Sequence, residues 1–384
     1  MIIYSSTKDI SFDWHKSLCI KKFEDDETID YKNKKRFIEV YIGQALLRKE
    51  IKSKVNKVEL EIEYEVKCGE NIRIEHTGND ITEYFASTNG ILDLESDQLE
   101  IKTSLIVNQD VDLTTGNIVF GRDIIINGDI REGFNITCGG DLTINGSIEN
   151  SVKILCKGNM KVTSIYGENS FVRVMNKLEL KFIHGARIQA YDIVIRSYSH
   201  HATVFAYNSI IIEGDGVHSQ KGAIIGGILN SFKTMKLSSL GSEKSSTKLA
   251  LGVNLNILDK VNLIHEKVLG LKKKIRDLNE EVDLASGFDN ARQKFHNMNE
   301  ENKVSYKVKL SLLKKTILIH NAISCKESEL LEKQYFKDPS LLKIEVESAI
   351  IPDIHLRVLN KSFMIKKMMN HKCITYSNDE IKFN

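Results

Sequence analysis

Proline is nearly missing from this chain: Pro339 and Pro352 are the only two in 384 residues, beside 23 glycines. A chain that turns on glycine and avoids proline is expected to make many tight turns in regular β structure, where proline would delete ladder hydrogen bonds. Long apolar runs are missing too. No stretch approaches the roughly 18 residues that a membrane-spanning helix needs, so no direct membrane insertion is expected. The start, Met1-Ile2-Ile3-Tyr4-Ser5-Ser6-Thr7-Lys8-Asp9, has no basic stretch leading into an apolar one, so no secretory signal is expected. The six cysteines form no Cys-x-x-Cys pair and are too few for a disulfide framework, which points to reduced thiols and a cytoplasmic location. An excess of charge is also lacking, with 54 basic against 52 acidic residues. Nucleic acids and anionic membranes hold proteins through a concentrated basic face, so neither is an expected partner. The 41% hydrophobic and 28% charged content is that of an ordinary globular protein, long enough for two or three domains of about 150 residues.

Residues 1–105 read as an N-terminal α+β domain. From 57 to 66 apolar Val58, Leu60, Ile62, Tyr64 and Val66 alternate with Glu59, Glu61, Glu63 and Glu65, the pattern of a half-buried strand. The glutamate row is read as the wet face that such a strand requires, in preference to a cation site. Phe37 to Ile51 reads as a short helix. Asn89-Gly90 separates two strand-like runs and suggests a hairpin.

Residues 106–253 carry a repeat. Apolar residues recur every six positions from Ile118 through Ile124, Ile130, Ile136, Leu142, Ile148 and Ile154 to Leu178. Three steps make an 18-residue unit, marked by Asp123-Ile124, Asp141-Leu142, Asn159-Met160 and Lys177-Leu178. Asp192-Ile193 and Ser209-Ile210 continue it with shorter steps. A second column is Ile118, Ile136, Ile154, Val172, Ile188 and Val204; a third is Phe120, Cys138, Cys156, Val174, Ala190 and Ala206. These columns predict a parallel β-solenoid of about six coils, each of three short strands with apolar residues inward. Fifteen of the 23 glycines fall between Gly116 and Gly227, read as corners where the backbone needs positive φ. A left-handed solenoid of the acyltransferase type would want a small residue after each aliphatic one. Val119, Ile125, Arg131, Thr137, Thr143, Glu149 and Leu155 occupy those positions, so a triangular right-handed β-helix is favoured.

Residues 254–337 switch to helix. Ile257, Val261, Ile264, Val268, Leu271, Ile275, Leu278 and Val282 are spaced 4, 3, 4, 3, 4, 3, 4, a coiled-coil seam. A second stretch with Val308, Leu312, Ile319, Ile323, Leu330 and Leu331 suggests an antiparallel hairpin turning near Asn297 to Asn302. The seam either closes that hairpin or recruits a helix of another chain, so a homo-oligomer stays open. Residues 338–384 read as short C-terminal β strands capping or packing on the solenoid, with Ser377-Asn378-Asp379 as a turn.

Three blocks give the chain a family resemblance. One is Asp110-Val111-Asp112 followed by Thr115-Gly116-Asn117-Ile118. Another is the glycine-rich coils, with Gly140-Asp141-Leu142, Lys157-Gly158-Asn159-Met160, Gly222-Ala223-Ile224-Ile225-Gly226-Gly227 and Ser246-Thr247-Lys248-Leu249. The last is the heptad segment followed by Ile350-Ile351-Pro352-Asp353-Ile354 and Ser377-Asn378-Asp379-Glu380-Ile381. In that order they resemble the flagellar assembly protein A (FapA) family, from about residue 86 onward. The family usually has glycine where Asp353 stands. The resemblance implies a non-enzymatic scaffold or regulator of flagellar number or placement. It further implies protein partners among flagellar assembly or polar-positioning components, and a site at the cell pole or flagellar base.

His184, His201 and His218 are 17 apart, and His200 adjoins His201; stacked imidazoles could bind a transition metal, yet no Cys or carboxylate completes a ligand spacing. Cys138 and Cys156 read as stacked reduced core residues. Asp123, Asp141 and Asp192 share a repeat position, which calcium ladders and polysaccharide lyases exploit. Asn159, Lys177 and Ser209 break the column, so turn formation is favoured. Lys272, Lys273, Lys274 and Arg276 read as a wet helix face. No catalytic, cofactor or metal residue is therefore assigned. The alternative is a β-helix enzyme or carbohydrate-binding module acting on polysaccharide or acyl substrates. It suffers because the solenoid aromatics keep no single column.

Overall fold

The computed structural model describes residues 10–14, 38–51, 66–77, 80–93, 98–214, 223–282 and 287–384. The strand expected over 57–66, with its glutamates, lies outside them except for Val66. Before residue 104 the described residues build two antiparallel sheets. One is ordered Ile10–Trp14, Ala45–Ile51, Ile81–Ala86, Ile72–Thr77; the other Ile38–Val40, Gly90–Asp93, Glu100–Lys102. They share a small core that includes Val40, Leu46, Tyr84, Leu92 and Ile101.

Two local expectations are corrected here. Phe37 to Ile51 is not a helix: Ile38–Val40 and Ala45–Ile51 are strands in different sheets. The turn between them contains Gly43 at φ 81°, whose N–H donates to Ala86 O, a conformation no helix accommodates. Nor does Asn89-Gly90 turn a hairpin, because the strands on either side belong to separate sheets. A Cβ on Gly90 would lie 2.4 Å from Lys102 O, so this glycine serves close backbone approach to the neighbouring strand.

Between Ser104 and Val358 the described strands build a parallel β-solenoid of about eight turns around one continuous core, interrupted by helices. Its strands form three columns. Ile118 pairs with Ile136, then Ile154, Val172, Ile188 and Val204, as the repeat requires. A second column runs Ile124, Leu142, Met160, Leu178, Ile193, Ile210 and Met235. A third begins with the bridged residues Val111, Ile130 and Ile148 and continues through Ile165 and Ile183. Every residue named in these columns is buried, so each short strand contributes apolar area worth ~1.5–3 kcal/mol per large side chain. No coil could achieve that alone.

The glycine expectation holds in part: Gly116, Gly133, Gly167, Gly185, Gly226 and Gly227 take positive φ. Of Gly121, Gly128, Gly133, Gly139, Gly146 and Gly158, only Gly133 has positive φ (81°). The others mostly let one coil lie directly on the next: a Cβ on Gly139 would be 2.2 Å from Gly121 O. There are more coils than six for two reasons. Steps after residue 177 are often shorter than 18, and the ladder resumes after the helices.

The helices leave the solenoid at one corner. We name them α1 (Leu255–Val282), α2 (Phe288–His296) and α3 (Glu300–Gln334). Asn254 Oδ1 accepts the Ile257 N–H, and Asn299 Oδ1 accepts the Asn302 N–H, which caps the starts of α1 and α3. Backbone bonds from Asn254 N–H to Gln334 O and from Phe336 N–H to Gly252 O (both 2.9 Å) pin the base of the excursion. Lys343–Ile350 then pairs in parallel with Thr234–Leu237, and Ile354–Val358 with Thr247–Leu251, so the coil resumes where it stopped. Lys361–Ile365 and Met369–Ser377 fold back antiparallel on these last coil strands, and Glu380–Phe383 on Met369–Ser377. Asn378 and Asp379 both have positive φ, making the expected turn. The hydrogen bond that Tyr376 donates to Asp379, with burial, pushes the phenol up to about 12.

Contacts between α1 and α3 climb one helix as they descend the other: His265 to Glu327 (2.7 Å), Glu281 to Lys309 (3.0 Å), and Val282 O to Tyr306 OH (2.9 Å). The α1 seam residues from Ile257 to Val282 are all buried or half-buried. On α3 the inward face is Tyr306, Leu313, Thr316, Glu327 and Gln334 and their neighbours at helical spacing. Of the apolar residues of the expected second stretch, Ile323 and Leu330 are half-buried, while Val308, Leu312 and Ile319 are 63%, 40% and 42% exposed. Among the described residues no helix is long and apolar enough to cross a membrane.

Candidate functional site

The aspartate column is built into the coil stacking. Asp141 N–H donates to Asp123 Oδ1 (2.8 Å), Asn159 N–H to Asp141 Oδ1 (2.7 Å) and Lys177 N–H to Asn159 Oδ1 (3.4 Å). Each side chain satisfies the amide one coil on, 18 residues away, and not a local turn amide. A second ladder joins Asp110 Oδ1 to Asp129 N–H (2.8 Å) and Asp129 Oδ1 to Ser147 N–H (2.7 Å). Arg131 clamps Asp110 and Glu149 across these same coils. The Asp129 amide, then the Arg131 guanidinium, hold the Asp110 carboxyl below its ordinary range. The Asp110-Val111-Asp112 block of the resemblance is therefore a joint that starts the stack, where Asp112 Oδ1 also accepts the Thr114 N–H (2.7 Å). Asp192, further on, accepts from Ser209 Oγ (2.5 Å) and Asn208 Nδ2 (2.8 Å).

Cys138 and Cys156 are Cα partners, buried and free, each donating to a backbone carbonyl such as Gly140 O (3.3 Å). The contact between them pushes the Cys156 thiol up and the Cys138 thiol down, and both side chains sit in the core of the coils.

The histidines gather at one edge, but in a different pairing from the expected one. His184 stacks on His200 (4.7 Å between ring centres), 16 residues on, and His200 meets His201 edge-on at 4.5 Å. His201 turns through positive φ (49°), which removes it from the column. His218 lies outside the described residues. Burial, then His201 and His184, hold the His200 imidazole below its ordinary value, and its Nδ1 is buried with no hydrogen-bond partner. Among the described residues no group of three or more His, Cys, Asp or Glu is placed to hold a metal ion.

Beside the histidines lies a feature the 18-residue period conceals. Phe182 stacks on Tyr198 (5.0 Å, 10° between planes) and Tyr166 meets Phe182 edge-on at 5.3 Å. Against the expectation that the solenoid aromatics keep no single column, these three do. The signal was the 16-residue spacing 166, 182, 198. Tyr166 is 42% exposed and Phe182 and Tyr198 are half-buried, so this column runs along the outer surface of the coils.

On the helices, Lys272, Lys273, Lys274 and Arg276 are exposed and, among the described residues, make no ion pair. No curated protein and no solved structure matches the chain. The sequence model of one family, described as FapA, the Flagellar Assembly Protein A beta solenoid domain, matches residues 103–381. That span runs from the Asp110 joint through the coils and helices to the final strand pair and covers well over half the molecule, so the chain belongs to this family.

Proposed function

We propose that the protein is a non-enzymatic scaffold or regulator in bacterial flagellar assembly, acting in the cytoplasm at the cell pole or flagellar base through protein–protein contacts. The family match over residues 103–381 carries this reading. Polar side chains agree with it. The aspartates, asparagines and cysteines that enzyme chemistry would recruit are spent on stacking coils. The three strand columns support a triangular cross-section, and the bulky residues after each aliphatic position favour the right-handed form. The opposed order of contacts along α1 and α3 supports an antiparallel coiled-coil hairpin rising from the solenoid. Exposed Val308, Leu312 and Ile319 leave apolar surface for a partner or a second copy. Deleting the gene in the native cell and counting flagella by electron microscopy tests the reading. A changed number or position is expected; unchanged flagella would reject it. Affinity capture with the full chain should recover flagellar basal-body or export components.

A further inference from the structure

One side of the α1–α3 pair places no Asp or Glu at the positions that follow its inward-facing residues, and the carboxylate that reaches it is that of inward Glu327, held by His265 at 2.7 Å. In an α-helix the residue after an inward-facing one lies about 100° further round. Lys272 and Arg276 follow inward-facing Leu271 and Ile275 on α1; Lys307 and Lys314 follow Tyr306 and Leu313 on α3. In a pair that runs in opposite directions and face to face, this rotation turns both sets to the same side. From Leu258 to Asn279 on α1, and from Lys307 to Leu331 on α3, no residue in this position is Asp or Glu. The opposite side is mixed: Asp277, Glu281 and Glu329 precede inward-facing residues there, and Glu281 holds Lys309 at 3.0 Å. The four cations make no ion pair among the described residues. On the same side Leu269, one turn before Lys272, and Ile317, one turn after Lys314, are 51% and 37% exposed. At the far end of this side the chain lays a helix of its own: α2 sets Phe295 against Tyr306 (5.4 Å) and beneath the Lys307 ammonium (5.9 Å).

We infer that this side docks an acidic amphipathic helix of a protein partner, laid along the pair as a third helix between α2 and the solenoid. Its apolar stripe would cover Leu269 and Ile317, and its Asp or Glu rim would meet Lys272, Arg276, Lys307 and Lys314. The inference rests on the reading of the protein as a scaffold with an antiparallel hairpin, and it names the chemistry of the partner.

The full chain is titrated against a fluorescent peptide of about three heptads with Leu at the apolar positions and Glu at the flanking ones, by anisotropy. Saturable binding that weakens several-fold between about 50 mM and about 300 mM salt is expected. The triple variant Lys272→Glu, Arg276→Glu, Lys314→Glu should bind about tenfold more weakly, and Lys260→Glu, Lys267→Glu, Lys315→Glu on the other side within about twofold of the parent. Circular dichroism checks that both variants keep their helices, and the triple variant Lys272→Gln, Arg276→Gln, Lys314→Gln gives an intermediate loss that does not depend on charge reversal. Equal binding of a peptide with Lys in place of Glu would overturn the inference. So would equal loss in both triple variants, or binding to phosphatidylserine vesicles with none to the peptide. Any of these leaves the flagellar reading standing, because that is judged by flagellar number.

Discussion

The coils before Lys177 and those after it enclose one core, yet different side chains hold them together outside. In the first set the step from Ile118 to Ile136, Ile154 and Val172 is 18 residues each time. In the second, Val172 to Ile188 and Ile188 to Val204 are 16, and Val204 to Leu229 is 25. The Asx ladder stops at Lys177, whose side chain has no acceptor to offer the next amide. The Phe182–Tyr198 and His184–His200 stacks lie just beyond that point. The buried columns continue through both sets, so the core does not impose the exact period. The ladder at the corner does: a short carboxylate or amide reaches the equivalent amide only when the coils superimpose.

The largest effect should break this comparison if it is wrong. Ile154 and Ile210, one from each set, are 2% and 0% exposed. Alanine at either should cost about 2–5 kcal/mol, by loss of transfer energy plus a cavity. Urea midpoints should fall alike for both. A cost for Ile210→Ala below about 1 kcal/mol would mean that the later coils do not share the core.

The ladder should matter less and selectively. Asp141→Ala removes the acceptor for Asn159 N–H and should cost about 1 kcal/mol, while Asp141→Asn keeps an acceptor oxygen and should cost a fraction of that. If both substitutions cost the same, charge and not the amide bond is what matters at the corner.

Acid should weaken the second set. Burial, then His201 and His184, lower the His200 value from its ordinary 6.5. The unfolded chain therefore takes up this proton more readily than the folded one. Stability present above pH 6.5 is lost as pH falls through the folded value. Thermal midpoints recorded from about pH 7.5 down to about pH 5.5 should fall, and His200→Phe should flatten that slope. A slope unchanged by His200→Phe would assign the acid sensitivity elsewhere.

How much of this was legible follows the same division. Ile118, Ile136 and Ile154 announce their register because the ladder keeps the interval constant. The Ile257-to-Val282 seam was legible because a helix keeps its period whatever surrounds it. Tyr166, Phe182 and Tyr198 escaped because an 18-residue template scatters residues 16 apart. Which of Val308, Leu312, Ile323 and Leu330 face α1 was not legible, because an apolar stripe does not say which helix it faces. Gly90 was misread because a turn and a close approach of two backbones ask for the same residue.

The smallest predicted effect lies at Asp353, a corner of the resumed ladder. Its φ is 71°, a region that costs a residue with a Cβ roughly 1 kcal/mol, less for Asp than for most. Its hydrogen bonds belong to the backbone: its N–H donates to Ile365 O, and its carbonyl accepts from Thr247 N–H and Ser246 Oγ. Glycine keeps all three. Against the relief stands the greater freedom of glycine in the unfolded chain, about 0.5–1 kcal/mol. Asp353→Gly should therefore move stability by no more than about 0.5 kcal/mol, with Asp353→Ala clearly worse than either. Should Ala match Gly in urea unfolding, this corner does not hold its positive φ in solution, and the resumption of the ladder after the helices is looser than the strand pairing of Ile354–Val358 implies.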